Sequence, residues 1–303
     1  MSDATNTYQG FKSGFIAITG APNVGKSTLL NTMIGQKISI TSEKPQTTRN
    51  RIAGIAHREG AQLIFLDTPG IHLTNKTFNQ KMVDVAFSAI DDVDLLLLVA
   101  DAAKPDKKSE KIILERLQQN RKRPVLLALN KIDRVSKPEL LPLIDKWQKS
   151  YPFEAIYPVS ALEGTQVKDV LAALEGLLPE GPPYYPPDMI TDVREEFILS
   201  EIIREKAFQL TEEEIPFSTA VAIDMIEEDA EIDLVYVYAK IHVERDSQKK
   251  ILIGKNGSKI REIGKAARLE MKRLMGMPVY LKLFIRVEKN WSRDARAMRR
   301  LGY

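Results

Sequence analysis

The sequence predicts two domains: an α/β domain built on a doubly wound, mostly parallel sheet, then a smaller α+β domain. Three observations carry that prediction. Short apolar runs alternate with amphipathic helical patterns up to about residue 178, a proline-rich segment interrupts the chain at 179–188, and beyond it three stretches alternate apolar and polar residues with period two. A chain of 303 residues with 44% apolar content is long enough for two cores.

In the first part, FIAITG (15–20), LIFLDTPG (63–70), LLLLVAD (95–101), VLLALNKID (125–133) and AIYPVSA (155–161) each read as a buried strand ending in glycine or polar residues. Runs this apolar suit strands covered on both faces, as in a parallel sheet. Amphipathic stretches near 26–34, 76–90, 107–121, 138–150 and 166–178 supply the crossover helices. PEGPPYYPPD (179–188) has five prolines and one glycine, which excludes a regular helix or central strand and reads as a stiff linker. After it, Leu199, Ile203, Ala207 and Leu210 mark one face of a helix. Phe217-Thr219-Val221-Ile223-Met225, Val235-Val237-Ala239-Ile241-Val243 and Val279-Leu281-Leu283-Ile285-Val287 mark three half-buried strands. Between the last two lie a short helix, a glycine turn, and a helix with Ile260, Ile263, Ala267, Met271 and Leu274 on its apolar face. The order is α-β-β-α-α-β. The expected boundaries are 12–180 for the first domain, 181–192 for the linker, 193–290 for the second domain and 291–303 for a basic tail.

Composition excludes several classes of function. There is no cysteine, hence no disulfide, cysteine zinc site or thiol nucleophile, which suits a reducing cytosol. The start, MSDATNTYQGFKSG, lacks a basic stretch followed by an apolar core, so no secretory signal is expected. The apolar run Leu95–Ala100 falls far short of the ~18 residues of a membrane span, and a soluble chain with at most a peripheral membrane contact is expected. The net charge of +3 conceals a polarity. From Asp188 to Asp246 there are 5 Lys/Arg against 17 Asp/Glu, a net of −12; from Ser247 to Tyr303 there are 16 against 4, a net of +12. Either the second domain carries a directional electrostatic surface, or the two stretches lie side by side and neutralise each other.

The motifs that carry chemistry stand at strand ends. Gly20-Ala21-Pro22-Asn23-Val24-Gly25-Lys26-Ser27 fits G-x-x-x-x-G-K-[ST], follows an apolar strand and opens a helix that continues with Thr28. Its glycines let backbone N–H groups converge on phosphates, helped by the positive end of the helix. Lys26 is expected to reach the β and γ phosphates and Ser27 to give an oxygen to Mg²⁺. The loop alone selects no base. Asn130-Lys131-Ile132-Asp133 does, because a carboxylate at a strand end can accept from the N1–H and 2-amino groups of guanine. Adenine offers an acceptor and no amino group there, which leaves the carboxylate unpaired. Ser160-Ala161, ending the next strand, adds backbone contacts to the guanine oxygen. The expected ligands are therefore GTP and GDP.

Asp67-Thr68-Pro69-Gly70 follows the strand LIFL, with Asp67 expected to hold Mg²⁺ through water and the Gly70 N–H to sense the γ-phosphate. Gln46-Thr47-Thr48-Arg49 lies in a polar loop, where Thr48 or its neighbour Thr47 completes the Mg²⁺ shell in the GTP state. Loops ordered by the γ-phosphate and released on hydrolysis make a switch. Ile71 stands where Ras-like GTPases carry the glutamine that orients the attacking water, and an isoleucine cannot hydrogen-bond water. Asn23 is either a ligand for a monovalent cation such as K⁺ lying along the phosphates, or a turn residue. With Lys26, Thr48 and Gly70, it makes up the set expected at the chemistry.

One motif remains, ILIGKNGSKI at 251–260. The nucleotide site is complete before residue 165, so Gly254 and Gly257 have no nucleotide left to bind in their own domain. An apolar Ile253 followed by G-x-x-G between two helices of an α/β module is the arrangement of a KH domain, whose loop clamps single-stranded backbone beside a groove for about four nucleotides. Lys255 and Asn256 form the tip of the loop; Lys255, with Lys259, Arg261, Lys265 and Arg268 on the next helix, is expected to supply phosphate contacts. The fold class is thus an α/β P-loop GTPase domain followed by an α+β KH domain of type II order.

With both halves in place, the chain resembles the Era family of bacterial GTPases from about Gly14 to Tyr303. GAPNVGKS, PQTTR, DTPG, NKID and SA are similar to that family's GTPase boxes, and IGKNGSKI with the ending WSRDARAMRRLGY to its RNA-binding domain and tail. The resemblance implies binding to the 3′ end of 16S ribosomal RNA and a part in assembly of the 30S subunit. It also implies a potassium-sensitive GTPase with a hydrophobic residue after DTPG, a cytoplasmic monomer, and peripheral association with the inner membrane surface. The enzyme reading is slow GTP hydrolysis that times RNA binding. The alternatives are an RNA-binding assembly factor with a merely structural nucleotide, and a GTPase acting on transfer RNA or membranes, whose relatives lack a terminal KH module.

Overall fold

β1 (Lys12–Gly20) forms the middle of a six-stranded sheet because KSGFIAITG is apolar on both faces. The computed structural model describes residues 8, 10–41, 52–68, 93–119, 122–212, 215 and 218–301. β1 lies between β3 (Ala61–Asp67) and β4 (Leu95–Asp101), with β5 (Val125–Asn130) and β6 (Ala155–Pro158) extending the β4 side. These five strands are parallel. Their register pairs Ile18 with Asp67, Gly20 with Val99, Asp101 with Asn130 and Leu129 with Pro158, so the carboxyl ends form one edge. Helices α1 (Lys26–Ile34), α2 (Lys107–Gln119), α3 (Lys137–Ser150) and α4 (Val167–Leu177) alternate with them. The helix expected near 76–90 lies outside the described residues.

A sixth strand, β2 (Ile52–Arg58), adds to the edge antiparallel to β3. It was not among the expected strands: IAGIAHR is interrupted by alanine and glycine and has no unbroken β-branched run. Gly54 answers the interruption, since a Cβ there would stand 2.7 Å from both Ile38 Cδ1 and Leu30 Cδ1.

The proline-rich segment forms neither helix nor ladder strand, as expected, yet it is not a free spacer. The Ser13 N–H donates to Pro179 O at 3.1 Å, and the Gly181 N–H to Phe11 O at 3.0 Å. Buried Gln62 accepts from the Tyr184 and Tyr185 N–H groups at 2.7 and 3.0 Å and donates back to Tyr185 O at 2.8 Å. Further on, the Ile55 N–H donates to Ile190 O and Thr191 Oγ1 to Ala53 O. Prolines leave carbonyls without competing N–H groups, and this strap uses them as acceptors. The chain divides into two compact units between Asp192 and Val193, so the strap belongs to the first.

In the second unit, α5 (Glu195–Leu210), β7 (Ala220–Asp229), β8 (Leu234–Val243), α6 (Asp246–Ile253), α7 (Ser258–Met275) and β9 (Val279–Val287) follow the expected order. The sheet runs β7-β8-β9, with β7 antiparallel and β9 parallel to β8. Leu199, Ile203 and Ala207 of α5 and Ile263, Ala267 and Met271 of α7 pack on the inward residues of β8 and β9. Three expectations change. The register of β7 shifts between Ile223 and Met225, so Ile226 packs on the core and Met225 is 43% exposed. Leu274 is exposed and Ile260 half-buried, so neither joins the fully buried stripe of α7 that Ile263, Ala267 and Met271 form. Phe217 lies outside the described residues. The basic tail is packed structure: Trp291 is fully buried with its Nε1–H donating to Ser218 O at 3.0 Å, and α8 (Ala295–Arg300) buries Met298. Among the described residues no helix is long and apolar enough to cross a membrane.

Candidate functional site

The carboxyl edge of the first sheet gathers the predicted motifs, as the strand-end rule for open α/β sheets requires. Gly20 ends β1 with φ 154°, and a Cβ there would lie 2.3 Å from Val99 O. Gly25 has φ 99°, and a Cβ there would lie 2.3 Å from Asn130 Nδ2. Both glycines are therefore required by close approach as well as by conformation. Asn23 adopts φ 63°, a left-handed turn that asparagine tolerates, so its turn role is visible. Lys26 starts α1, is buried, and donates to Gly20 O and Ala21 O at 3.2 and 2.9 Å, so its stem follows the loop it serves. Burial pushes its ammonium down to about 8, against the pull of Asp67. A phosphate within reach would favour the charged form again.

Asp67, the last residue of β3, is fully buried. Its Oδ2 accepts from Ser27 Oγ at 2.7 Å and from Ser39 Oγ at 3.0 Å. Thr68 Oγ1 donates to Ile18 O at 2.8 Å and ties the residue after β3 to β1. A carboxylate and a hydroxyl in contact at the foot of a phosphate loop are the hard oxygen donors that Mg²⁺ takes, so these residues fit the expected ion. Thr48, Pro69, Gly70 and Ile71, with Gln46, Thr47 and Arg49, lie outside the described residues.

The base-selecting segment follows β5. Asn130 is buried, and its side chain ties two motifs together: Nδ2–H donates to Val24 O at 2.8 Å and Oδ1 accepts from the Ala161 N–H at 2.9 Å. Lys131, at φ 66°, donates through Nζ to Asn23 O and to Asp101 Oδ2, both at 2.6 Å. Ile132 is half-buried and opens a short helical turn. Asp133 Oδ1 accepts from Ser160 Oγ at 2.6 Å. Thr32 Oγ1 of α1 donates to Ala161 O at 2.7 Å. Phosphate loop, NKID and Ser160-Ala161 are thus one hydrogen-bonded body. Sequence reasoning missed Asp101, Ser39 and Thr32. Asp101 ends β4 as Asp67 ends β3, a signal that was readable; Ser39 and Thr32 carry none.

In the second unit, Gly254 ends α6 with φ 70°, and a Cβ there would meet Lys259 Cβ at 2.7 Å and its N at 2.9 Å. Asn256 and Gly257 follow at φ 52° and 73°, a tight loop with Lys255 and Asn256 exposed at its tip. Ile253 is half-buried beneath it. Arg261 turns back on the loop, donating from Nε to Gly257 O at 3.1 Å and from Nη2 to Asn256 O at 2.5 Å, while Lys259 pairs with Glu262 at 2.9 Å. Lys265 and Arg268 are exposed along α7. Arg261, although exposed, is therefore tied to the loop, and Lys255, Lys265 and Arg268 are exposed beside it.

Comparison with known proteins matches a family to each of the two domains. The 50S ribosome-binding GTPase family matches residues 15–131, and the KH domain family matches residues 214–292. GTPase Era of Geotalea uraniireducens is 49% identical over 98% of this chain and 99% of its own length. The chain belongs to the Era family of GTPases. GTPase Era of Geobacter metallireducens is similar at 48% identity over 97% of this chain and 98% of its own. Among solved members of the Era family, a crystal structure of Era in complex with MgGDPNP and nucleotides 1506–1542 of 16S ribosomal RNA matches with a TM-score of 0.91. It is 40% identical and covers 97% of this chain and 99% of that one. An Aquifex aeolicus Era variant bound to GDP and AlF4⁻ matches with the same score, identity and coverage.

Proposed function

We propose that this chain is a guanine-nucleotide switch that hydrolyses GTP slowly and holds the 3′ end of 16S ribosomal RNA during assembly of the 30S subunit. The observation that carries the reading is Asn130, whose single amide joins the phosphate loop to Ala161 beside Asp133. The phosphate-holding and base-selecting ends of one nucleotide site are thereby built as one piece. An Era solved with 16S nucleotides, similar over nearly the whole chain, supports the choice of RNA.

In this reading the backbone from Gly20 to Thr28 wraps the phosphates, Lys26 neutralises them, and Asp133 selects guanine. Ser27, Thr48 and Asp67 hold Mg²⁺, which when bound neutralises charge on the phosphate oxygens. Gly70 senses the γ-phosphate. Asn23 is the proposed ligand of a potassium ion that stands in for the missing glutamine. Ile253, the Gly254–Gly257 loop, Lys265 and Arg268 hold the RNA backbone, with Lys259 and Arg261 shaping the loop. The family resemblance supports a cytoplasmic monomer whose contact with the inner membrane surface is peripheral.

The test measures GTP hydrolysis and RNA binding together. Lys255→Asp with Asn256→Asp places two carboxylates against the phosphates of the RNA, and should abolish binding of a 16S 3′-end RNA while hydrolysis without RNA continues. Equal loss of both activities would reject separate sites. Hydrolysis should be faster in potassium than in sodium at equal ionic strength, with the difference lost in Asn23→Ala; equal rates in the two salts would remove the cation from the reading.

A further inference from the structure

The sheet face of the second unit that turns away from its helices carries aromatic rings instead of the polar residues usual on a solvated face. β8 and β9 are parallel and in register, Tyr236 beside Tyr280, Tyr238 beside Lys282, Lys240 beside Phe284. Their inward neighbours Val235, Val237, Leu281 and Leu283 pack on the core, so these pairs all point outward. Tyr280 and Phe284 are 46% and 45% exposed. The rings of Tyr236 and Tyr280 are 5.5 Å apart, and Lys282 Nζ lies 5.9 Å from the Tyr238 ring centre and 5.4 Å from that of Phe284. Threonine or valine would serve the strand as well, without the exposed apolar area.

We propose that this face is a second RNA contact, a platform on which unpaired nucleobases stack, and that it acts in addition to the Gly254–Gly257 clamp, which joins the helices of the other face. The proposal rests on the RNA-binding reading above and extends it to a different surface. Two properties select single-stranded RNA as the occupant. Every nucleobase offers a π face, and open sheets with exposed rings are a recurrent solution for stacking two or three bases. Along β9 the outward residues alternate ring and cation, Tyr280, Lys282, Phe284, Arg286, so a phosphate backbone following stacked bases meets positive charge at each step. A protein partner would favour an apolar centre depleted of charge, which this alternation does not provide. Asp224 is already paired with Lys240 at 3.0 Å, and Glu288, two residues beyond Arg286, with Arg300. Opposite Tyr236, Glu227 stands on β7, away from the cationic strand β9.

The test uses the full chain and a photoreactive oligouridine RNA. Cross-links are expected both near Gly254–Gly257 and within the β9 peptide carrying Tyr280 and Phe284. Tyr280→Ala with Phe284→Ala should weaken binding of the fluorescein-labelled RNA by about tenfold or more. Tyr280→Phe with Phe284→Tyr keeps the rings and should restore it, which separates stacking from a folding defect. Cross-links confined to the clamp together with unchanged affinity would overturn the platform and leave the RNA reading standing. A parent chain that binds no RNA would overturn both. Loss of pelleting with phosphatidylglycerol vesicles, at unchanged RNA affinity, would give the face to lipid instead.

Discussion

Asp133, the proposed guanine reader, has one of its oxygens held by the Ser160 hydroxyl at 2.6 Å. Guanine presents two donors to that carboxylate. Asp133→Asn presents one donor and one acceptor, which suits xanthine, with its 2-oxo group, instead. Affinity for GTP is expected to fall roughly hundredfold, and xanthosine triphosphate to regain most of the loss, as measured by equilibrium binding of both nucleotides. A variant that binds GTP like the parent would remove Asp133 from the base. The residue scale was the most legible in sequence for the groups proposed to act on a ligand, since a phosphate loop must be glycine-rich and a guanine reader must be acidic. It was least legible for groups that hold those residues in place. Asn130 sits inside a recognised motif, yet its contact is Val24, 106 positions away. Ser39 reaches Asp67 across 28 positions through a hydroxyl that any loop could carry.

The elements of the second unit carry two features that a periodic pattern cannot express. α5 buries Glu201 and Arg204 as well as its apolar face, and they meet in a bidentate pair at 2.6 and 2.5 Å, with Arg204 also 5.0 Å from the Phe208 ring centre. Period alone would assign such residues to solvent, because burial of a paired charge depends on what packs above it. Glu201→Ala removes the bidentate partner of a buried guanidinium and is expected to cost about 3–5 kcal/mol in urea unfolding of this unit. Glu201→Leu with Arg204→Met should cost far less. The second feature is His242 on β8, buried, with Nδ1 2.9 Å from Glu288 Oε2. Glu288 also pairs with Arg300. Burial first, then Arg286, Arg300 and Lys240 push the imidazole down to about 4, against Asp224. The neutral ring therefore donates Nδ1–H to the carboxylate. The folded value lies below the ordinary 6.5, so between those values the unfolded chain binds the extra proton and stability rises with pH. The unit should lose up to ~3 kcal/mol as pH falls from about 7 to about 4, and His242→Gln should flatten that slope in chemical denaturation.

Across the whole molecule, the two-domain plan and the mostly parallel sheet were legible because each rests on many residues, whereas β2 and the strap at 179–192 depend on a neighbour's edge. Charge is the property that only the whole chain decides. The stretches of net −12 and +12 adjoin at residue 247, and all but residues 188–192 of them fall in the second unit. Had they neutralised each other, ion pairs would run between them. Among the described residues, Lys206–Glu270 crosses but joins a lysine of the acidic stretch to a glutamate of the basic one, and Arg204–Glu201, Lys240–Asp224, Lys259–Glu262 and Arg300–Glu288 each stay within one stretch. The basic stretch thus keeps a surplus that includes exposed Lys255, Lys265 and Arg268. A surplus of that kind binds a polyanion by releasing its counterions, so affinity for RNA should fall steeply with salt. On single strands each phosphate neutralised contributes about 0.7 to the slope of log affinity against log salt. Lys265→Ala with Arg268→Ala should therefore reduce the slope by about 1.4, and should weaken binding to every RNA sequence alike, because phosphates carry no base information. The measurement is fluorescence anisotropy over a salt series with two unrelated single-stranded RNAs. An unchanged slope would mean that α7 does not face the backbone and that the surplus serves another partner, while loss confined to one RNA would make these side chains readers of bases.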